Sequence, residues 1–249
     1  ERIPELLTRA FSVATSGRPG PVVISLPEDM LTSEVEAPKA LPAQEVATRP
    51  GEAELDRLEA LLGAAKKPFV IVGGTRWGED GVAGLRQIAE KWSLPIGVSF
   101  RRQMLFDHLH PNYAGDIGIG PNPVLARAVK DSDLVLLIGG RFSEMPSSDY
   151  TLIKSPYPDQ QLVHVHADAN ELGRVYRPTL AINATPDSFV EAFARRKGVA
   201  SPVWAGETER LHKAYLDWST PPEAGPGKVQ MGPIMTYLQS VLPDDAIMT

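Results

Sequence analysis

The apolar pattern of this chain predicts an α/β fold, a Rossmann-like doubly wound parallel sheet with helices on both faces. Three observations carry that expectation. Short unbroken apolar runs recur, such as Phe69-Val70-Ile71-Val72 and Leu134-Val135-Leu136-Leu137-Ile138, and strands apolar on both faces belong in a parallel sheet covered on both sides. The segments between them place apolar residues at helical spacing. Two of the runs end in glycine pairs, Gly73-Gly74 and Gly139-Gly140, at the carboxyl ends of strands where such sheets bind ligands.

In chain order, Pro4 to Ser16 reads as a helix stopped by Gly17, and Val22 to Leu26 as a buried strand after a Gly/Pro turn. From Pro27 to Pro50 there is no periodicity, only punctuating prolines, which marks a linker laid over a surface. Ala53–Ala65 is an amphipathic helix and Pro68–Val72 a strand; Gly81–Trp92 is a helix and Pro95–Phe100 a strand. Pro123–Lys130 is the next helix and Asp133–Ile138 the next strand. Leu162–His166 is a strand, Asn170–Gly173 a helical turn, Leu180–Ile182 a short strand and Ser188–Lys197 a helix. Trp204–Trp218 is a further helix, 220–227 a second Pro/Gly linker, and Met231–Val241 a helix leading to an apolar strand start. The pattern at both ends reads as one whole α/β domain with fragments of neighbours, a piece of something longer.

Composition narrows the function classes. The 249 residues are 43% hydrophobic and 22% charged, enough to bury a core. Lys and Arg number 25 against 31 Asp and Glu, a net charge of −6, which points away from nucleic acid and from polybasic membrane binding. No apolar run reaches the about 20 residues a bilayer span needs. The chain has no cysteine, so a disulfide framework, thiolate chemistry and Cys-ligated zinc are excluded within it.

Four strand ends are candidate sites. After Val72, Gly73-Gly74-Thr75-Arg76-Trp77-Gly78-Glu79-Asp80-Gly81 lets backbone approach a phosphate at a helix N-terminus. The spacing is not G-x-G-x-x-G, however, and Glu79 and Asp80 can satisfy the helix dipole themselves. Ser99-Phe100-Arg101-Arg102-Gln103 offers adjacent arginines for a phosphate or carboxylate, against a solvated loop. Gly139-Gly140-Arg141 presents one cation close to a ligand, against a plain loop arginine. In His164-Val165-His166-Ala167-Asp168 the three polar side chains share one strand face. A metal set is the sharp reading and hydrogen-bonded core histidines the blander one, while Asp168 at the strand end can accept both hydroxyls of a ribose. Asp107, His108 and His110 form a further polar cluster with no other apparent ligand. No catalytic triad or paired carboxylates can be assigned.

Five segments in order resemble the thiamine-diphosphate-dependent enzymes of the acetolactate synthase-like family. They are Gly20-Pro21-Val22-Val23-Ile24-Ser25-Leu26-Pro27-Glu28-Asp29, Lys67 to Gly74, Asp133 to Phe142, His164 to Asp168 with Glu171-Leu172-Gly173, and Gly232 to Thr249. The resemblance implies that 1–33 close a pyrimidine-binding domain, 34–52 link it onward, and 53–198 form the central Rossmann-like domain. Residues 199–228 then supply a helix and linker, and 229–249 begin a diphosphate-binding domain. It implies a cytoplasmic homodimer or homotetramer, a lyase or transferase acting on a 2-oxo acid or acyl-CoA. Thiamine diphosphate and Mg2+ would be held by motifs outside this chain, which on its own would be inert and carry no catalytic residue. In that family the central domain binds FAD, an adenine nucleotide such as ADP, or nothing, and Gly73, Gly74, Arg141 and Asp168 match its nucleotide-contacting positions. Phe100-Arg101-Arg102-Gln103, His166 and Ala169 depart from the flavin-binding pattern and point away from FAD. The rival reading is a non-catalytic nucleotide-binding or oligomerisation module of the same fold. An NAD-dependent enzyme on a sirtuin-like sheet is weakened by the missing G-x-G-x-x-G and zinc cysteines.

Overall fold

The computed structural model describes residues 2–36, 38–39, 41–221, 227–243 and 245–247. The N-terminal helix α1 (Ile3–Thr15) and an extended segment lead to α2 (Glu52–Ala64). Alternation then begins with β1 (Pro68–Val72), α3 (Glu79–Trp92), β2 (Ile96–Ser99), β3 (Tyr113–Ile117), α4 (Pro123–Asp131) and β4 (Leu134–Ile138). It continues with β5 (Gln161–His166), β6 (Leu180–Asn183), α5 (Pro186–Phe193), α6 (Ala205–Ser219) and α7 (Met231–Val241). Six strands form one sheet in the order β3-β2-β1-β4-β5-β6, and every pair is parallel. Strand order reverses between β1 and β4, which opens a crevice at their carboxyl ends.

Each strand sends alternate residues to opposite faces, and the two faces have separate cores. Val70, Val72, Leu134, Leu136 and Ile138 pack with Leu55, Leu58 and Leu62 of α2, Leu85 and Ile88 of α3, and Phe189 and Phe193 of α5. Phe69, Ile71, Val135 and Leu137 pack on the other side with Leu125 and Val129 of α4 and Leu211 of α6. The helices start where their sequence tells them to. Asn122 caps α4 by accepting from the Val124 N–H at 2.9 Å with Pro123 behind it, and Thr185 caps α5 ahead of Pro186. Trp92 stacks on Phe193 with ring centroids 5.1 Å apart, tying α3 to α5.

The structure corrects the sequence reading in three places. Val22–Leu26 is not a buried strand: no described segment pairs with it, and Val23 is 92% exposed. A strand exists only through a neighbour's hydrogen bonds, and the apolar run alone does not supply one. Tyr113–Ile117 is an edge strand that the pattern did not announce, because Gly115 and Asp116 break its apolar run. Helix α5 begins at Pro186 and ends at Phe193, earlier at both ends than its periodicity indicates. The second linker falls largely on 222–226, and the terminal strand start includes 244 and 248–249; these residues lie outside those described.

The segment before α2 is fastened to the α/β domain. The Thr185 N–H donates to the Thr48 carbonyl at 3.0 Å, Arg49 pairs with Glu191 at 2.9 Å, and Arg76 binds both the Thr15 carbonyl and Glu45. In contrast, α1 and α7 bury no residue, leaving apolar side chains such as Phe11 and Tyr237 each 65% exposed. No helix among the described residues is long and apolar enough to cross a membrane.

Candidate functional site

The two glycine pairs meet at the switch point. Gly73 N–H donates to the Ile138 carbonyl at 3.0 Å, and Gly139 N–H to the Val165 carbonyl at 2.9 Å, so the ends of β1, β4 and β5 are locked side by side. Gly74 has φ +71, and a Cβ there would lie 1.7 Å from the Gly139 carbonyl oxygen. Gly139, at φ +73, is confined less tightly, a Cβ there lying 2.7 Å from the Gly73 carbonyl oxygen and 2.8 Å from the Pro186 ring. These glycines therefore serve backbone contact first, which places both loops low enough to leave a crevice above them.

That crevice has a volume of about 310 Å3, at the lower end of small-molecule sites. Its wall includes Gly74, Ser99, Phe100, Arg102, Arg141 and His166, with Arg18 and Pro19 closing it from the segment after α1. Three arginines and no carboxylate line it, an arrangement suited to an anion. Of the sequence candidates, Gly74 and Arg141 are in the wall; Gly73 is outside the lining, and a Cβ there would lie 2.8 Å from the Ser99 Cβ and 3.5 Å from the Gly140 Cα. Asp168 is also outside the lining, and its Oδ1 accepts from the Asn170 N–H and side-chain amide, both at 2.9 Å. Arg101 is exposed with φ +57 and lies over the Phe100 ring, 5.0 Å from its centroid.

The first candidate turn is already filled. Asp187 of α5 accepts from the Gly78 N–H at 2.9–3.0 Å, and a Cβ on Gly81 would lie 1.8 Å from its Oδ1. A carboxylate from another helix thus sits at the α3 N-terminus where a phosphate would go. The contact spans 109 residues of sequence, and only the small residues Gly78 and Gly81 hinted at a close approach. Arg18 was likewise invisible, since nothing in a Gly/Pro turn says which strand end it will reach. It pairs at 3.3 Å with Glu171, whose side chain is 6% exposed.

The two histidines of β5 are held by backbone. His164 Nε2 lies 2.9 Å from the Gly140 carbonyl; a carbonyl only accepts, so Nε2 carries the proton. The Asp168 N–H donates to His166 Nδ1 at 3.0 Å. Among the described residues no group of three or more His, Cys, Asp or Glu is arranged to hold a metal ion. In the other polar cluster His110 instead lies 3.0 Å from Glu90 and accepts from the Asn112 N–H.

Burial pushes His164 down from 6.5 to about 4, with a smaller contribution from His166, against the opposing Gly140 hydrogen bond. An unfolded imidazole takes up a proton near pH 6.5, the folded one only near pH 4. Folding is therefore unpenalised above pH 6.5 and loses stability as pH falls from there to 4, by about 3 kcal/mol for this group. Urea midpoints measured across this range should fall more steeply for the native protein than for His164→Gln, whose amide keeps a donor for Gly140. Equal slopes would contradict this assignment.

Fold and crevice together define a doubly wound α/β domain with a cationic switch point. The chain belongs to the thiamine pyrophosphate enzyme family: residues 55–193 match the model described as its central domain. It is similar to the large subunit of acetolactate synthase isozyme 1 of Escherichia coli, 31% identical over 191 residues, which are 75% of this chain and 33% of that protein. The acetolactate synthase large subunit of Corynebacterium glutamicum is 30% identical over 177 residues, 70% of this chain and 28% of the relative. A probable acetolactate synthase large subunit of Methanocaldococcus jannaschii is 28% identical over 189 residues, 73% and 32% of the two chains. The chain spans about a third of the length of these relatives.

Proposed function

We propose that the chain is the central domain of an acetolactate synthase-like enzyme that forms or cleaves a carbon–carbon bond beside the carbonyl of a 2-oxo acid, and that its crevice holds the diphosphate of an adenine nucleotide. The observation that carries the nucleotide reading is the crevice wall: Arg18, Arg102 and Arg141 with no carboxylate. Thiamine diphosphate bound in the parent would supply an electron sink. The family resemblance implies motifs for thiamine diphosphate and Mg2+ outside this chain, so no catalytic step is assigned to it. Its own residues position the strand ends, neutralise bound phosphate charge and fasten the preceding segment through Arg76.

Gly74 supplies close backbone approach, Arg141 a charge-assisted donor, and Gly73 the packing beneath. Asp168 holds Asn170 through Oδ1, which leaves Oδ2 to accept from a ribose hydroxyl. ADP suits a crevice of about 310 Å3 better than the larger FAD. A CoA-type substrate, which itself carries an adenine nucleotide, remains the alternative to a simple 2-oxo acid. The exposed apolar faces of α1 and α7 support burial against other parts of a cytoplasmic homodimer or homotetramer.

Calorimetric titration of the folded chain with ADP and separately with FAD tests the nucleotide reading. Micromolar ADP binding with weaker or no FAD binding is the expected result. No heat with either ligand, from a sample with native circular dichroism, would make the crevice a structural junction alone.

A further inference from the structure

His166 is the last residue of β5, is 5% exposed, and lines the crevice with Arg141. Its Nδ1 faces both the Asp168 N–H at 3.0 Å and the Asp168 carbonyl at 3.1 Å; in the tautomer that accepts from the N–H, the proton is on Nε2. That nitrogen has no protein partner among the described residues. With Nε2 protonated, the ring presents a donor without a protein acceptor to a crevice whose lining carries cations and no carboxylate, where an anionic ligand can meet it.

We propose that His166 is a ligand-contacting residue of this crevice, donating from Nε2 to a phosphate oxygen and strengthening the hold on a diphosphate when the ring is protonated. The inference rests on the nucleotide reading above and deepens it, naming the group that makes the site pH-sensitive.

The surroundings fix the direction of the effect. From the loop after β4 comes Arg141, from the loop after β2 Arg102, and from the segment after α1 Arg18, all cationic. From β5 itself comes His164, with ring centroids 5.9 Å apart, and from the turn after it Asp168 and Glu171, of which Glu171 is paired with Arg18 and Arg174. Burial and Arg141 hold the free imidazole below its usual range, while the Asp168 carbonyl, Glu171 and Asp168 pull it upward. An incoming diphosphate brings negative charge to the side where the arginines stand, which favours the imidazolium. On protonation Nδ1 can donate to the Asp168 carbonyl 3.1 Å away, so the charged ring keeps a backbone partner.

The test is a calorimetric titration from pH 8 to pH 5.5 of the native chain and of His166→Gln, with ADP in one arm and inorganic pyrophosphate in the other. Glutamine retains a neutral donor and does not titrate, so the ratio of the two proteins' affinities cancels the ligand's own protonation. The ratio should rise about tenfold in favour of the native protein as pH falls, the difference between a neutral and a charge-assisted hydrogen bond. The His166 ring signal, followed by nuclear magnetic resonance, should titrate at higher pH with ligand than without. A rise in both arms assigns the contact to the diphosphate, and a rise with ADP alone assigns it to the nucleotide. A flat ratio with binding intact, or an unmoved ring titration, overturns the role of His166 and leaves the nucleotide reading standing. Absence of binding by the folded native protein across the pH range overturns both.

Discussion

Gly74→Ala should destabilise the protein by about 4 kcal/mol, the largest effect expected of any single methyl group here. Two costs combine. The backbone has φ +71, a left-handed conformation that disfavours a side chain by about 1–2 kcal/mol. The new Cβ would also lie 1.7 Å from the Gly139 carbonyl oxygen and 2.5 Å from its carbon, and backbone cannot swing aside as a flexible side chain can. Relief requires the ends of β1 and β4 to separate, which breaks the switch point on which the crevice is built. Urea unfolding measures the loss. Gly63→Ala is the matched control: nothing lies within 4 Å of the added Cβ, in the last turn of α2, and the change should stabilise by about 0.8 kcal/mol. Near-native stability for Gly74→Ala would show that the strand ends do not touch.

Arg141→Ala should weaken ADP binding about 10- to 100-fold, the loss of a charge-assisted hydrogen bond to phosphate, while leaving the urea midpoint nearly unchanged. Arg141 is exposed and makes no ion pair among the described residues, so the fold does not depend on it. It is also shared between the crevice and a smaller chamber of about 140 Å3 bounded by Tyr150, His164, Glu171 and Tyr176. Arg141→Lys keeps the charge without the planar fork and should recover only part of the affinity. Raising ionic strength should weaken the native protein more than Arg141→Ala. Equal ADP affinity for native protein and Arg141→Ala would place the nucleotide elsewhere.

Legibility in the sequence followed burial. β1, β4 and β5 lie in the middle of the sheet, with neighbours on both sides and helices on both faces; β1 and β4 are apolar throughout, β5 is buried but for Gln161 and carries His164 and His166, and the boundaries of all three were readable within a residue or two. β3 pairs only with β2, with a register shift at Ile96/Gly97, and an edge position tolerates Gly115 and Asp116. Its weak signal has that cause. Val22–Leu26 misled for the opposite reason, because an apolar run specifies burial but not the partner that supplies it. At the site, the residues at strand ends were visible as Gly-Gly-Arg and His-x-His-x-Asp. Their contacts were not: Asp187 at the α3 N-terminus, Arg18 on Glu171 and Asn170 on Asp168 depend on where the chain returns in space.

The membership of this domain in a thiamine-dependent catalyst is tested most directly on the full-length protein. Carbon dioxide release from a 2-oxo acid such as pyruvate is followed before and after removal of thiamine diphosphate and Mg2+. The account predicts turnover that disappears on removal and returns when both are restored. A folded full-length protein that binds ADP in this crevice yet shows no thiamine-dependent turnover of 2-oxo acids or acyl-CoA would contradict it, and would leave a nucleotide-binding module that has kept the fold without the chemistry.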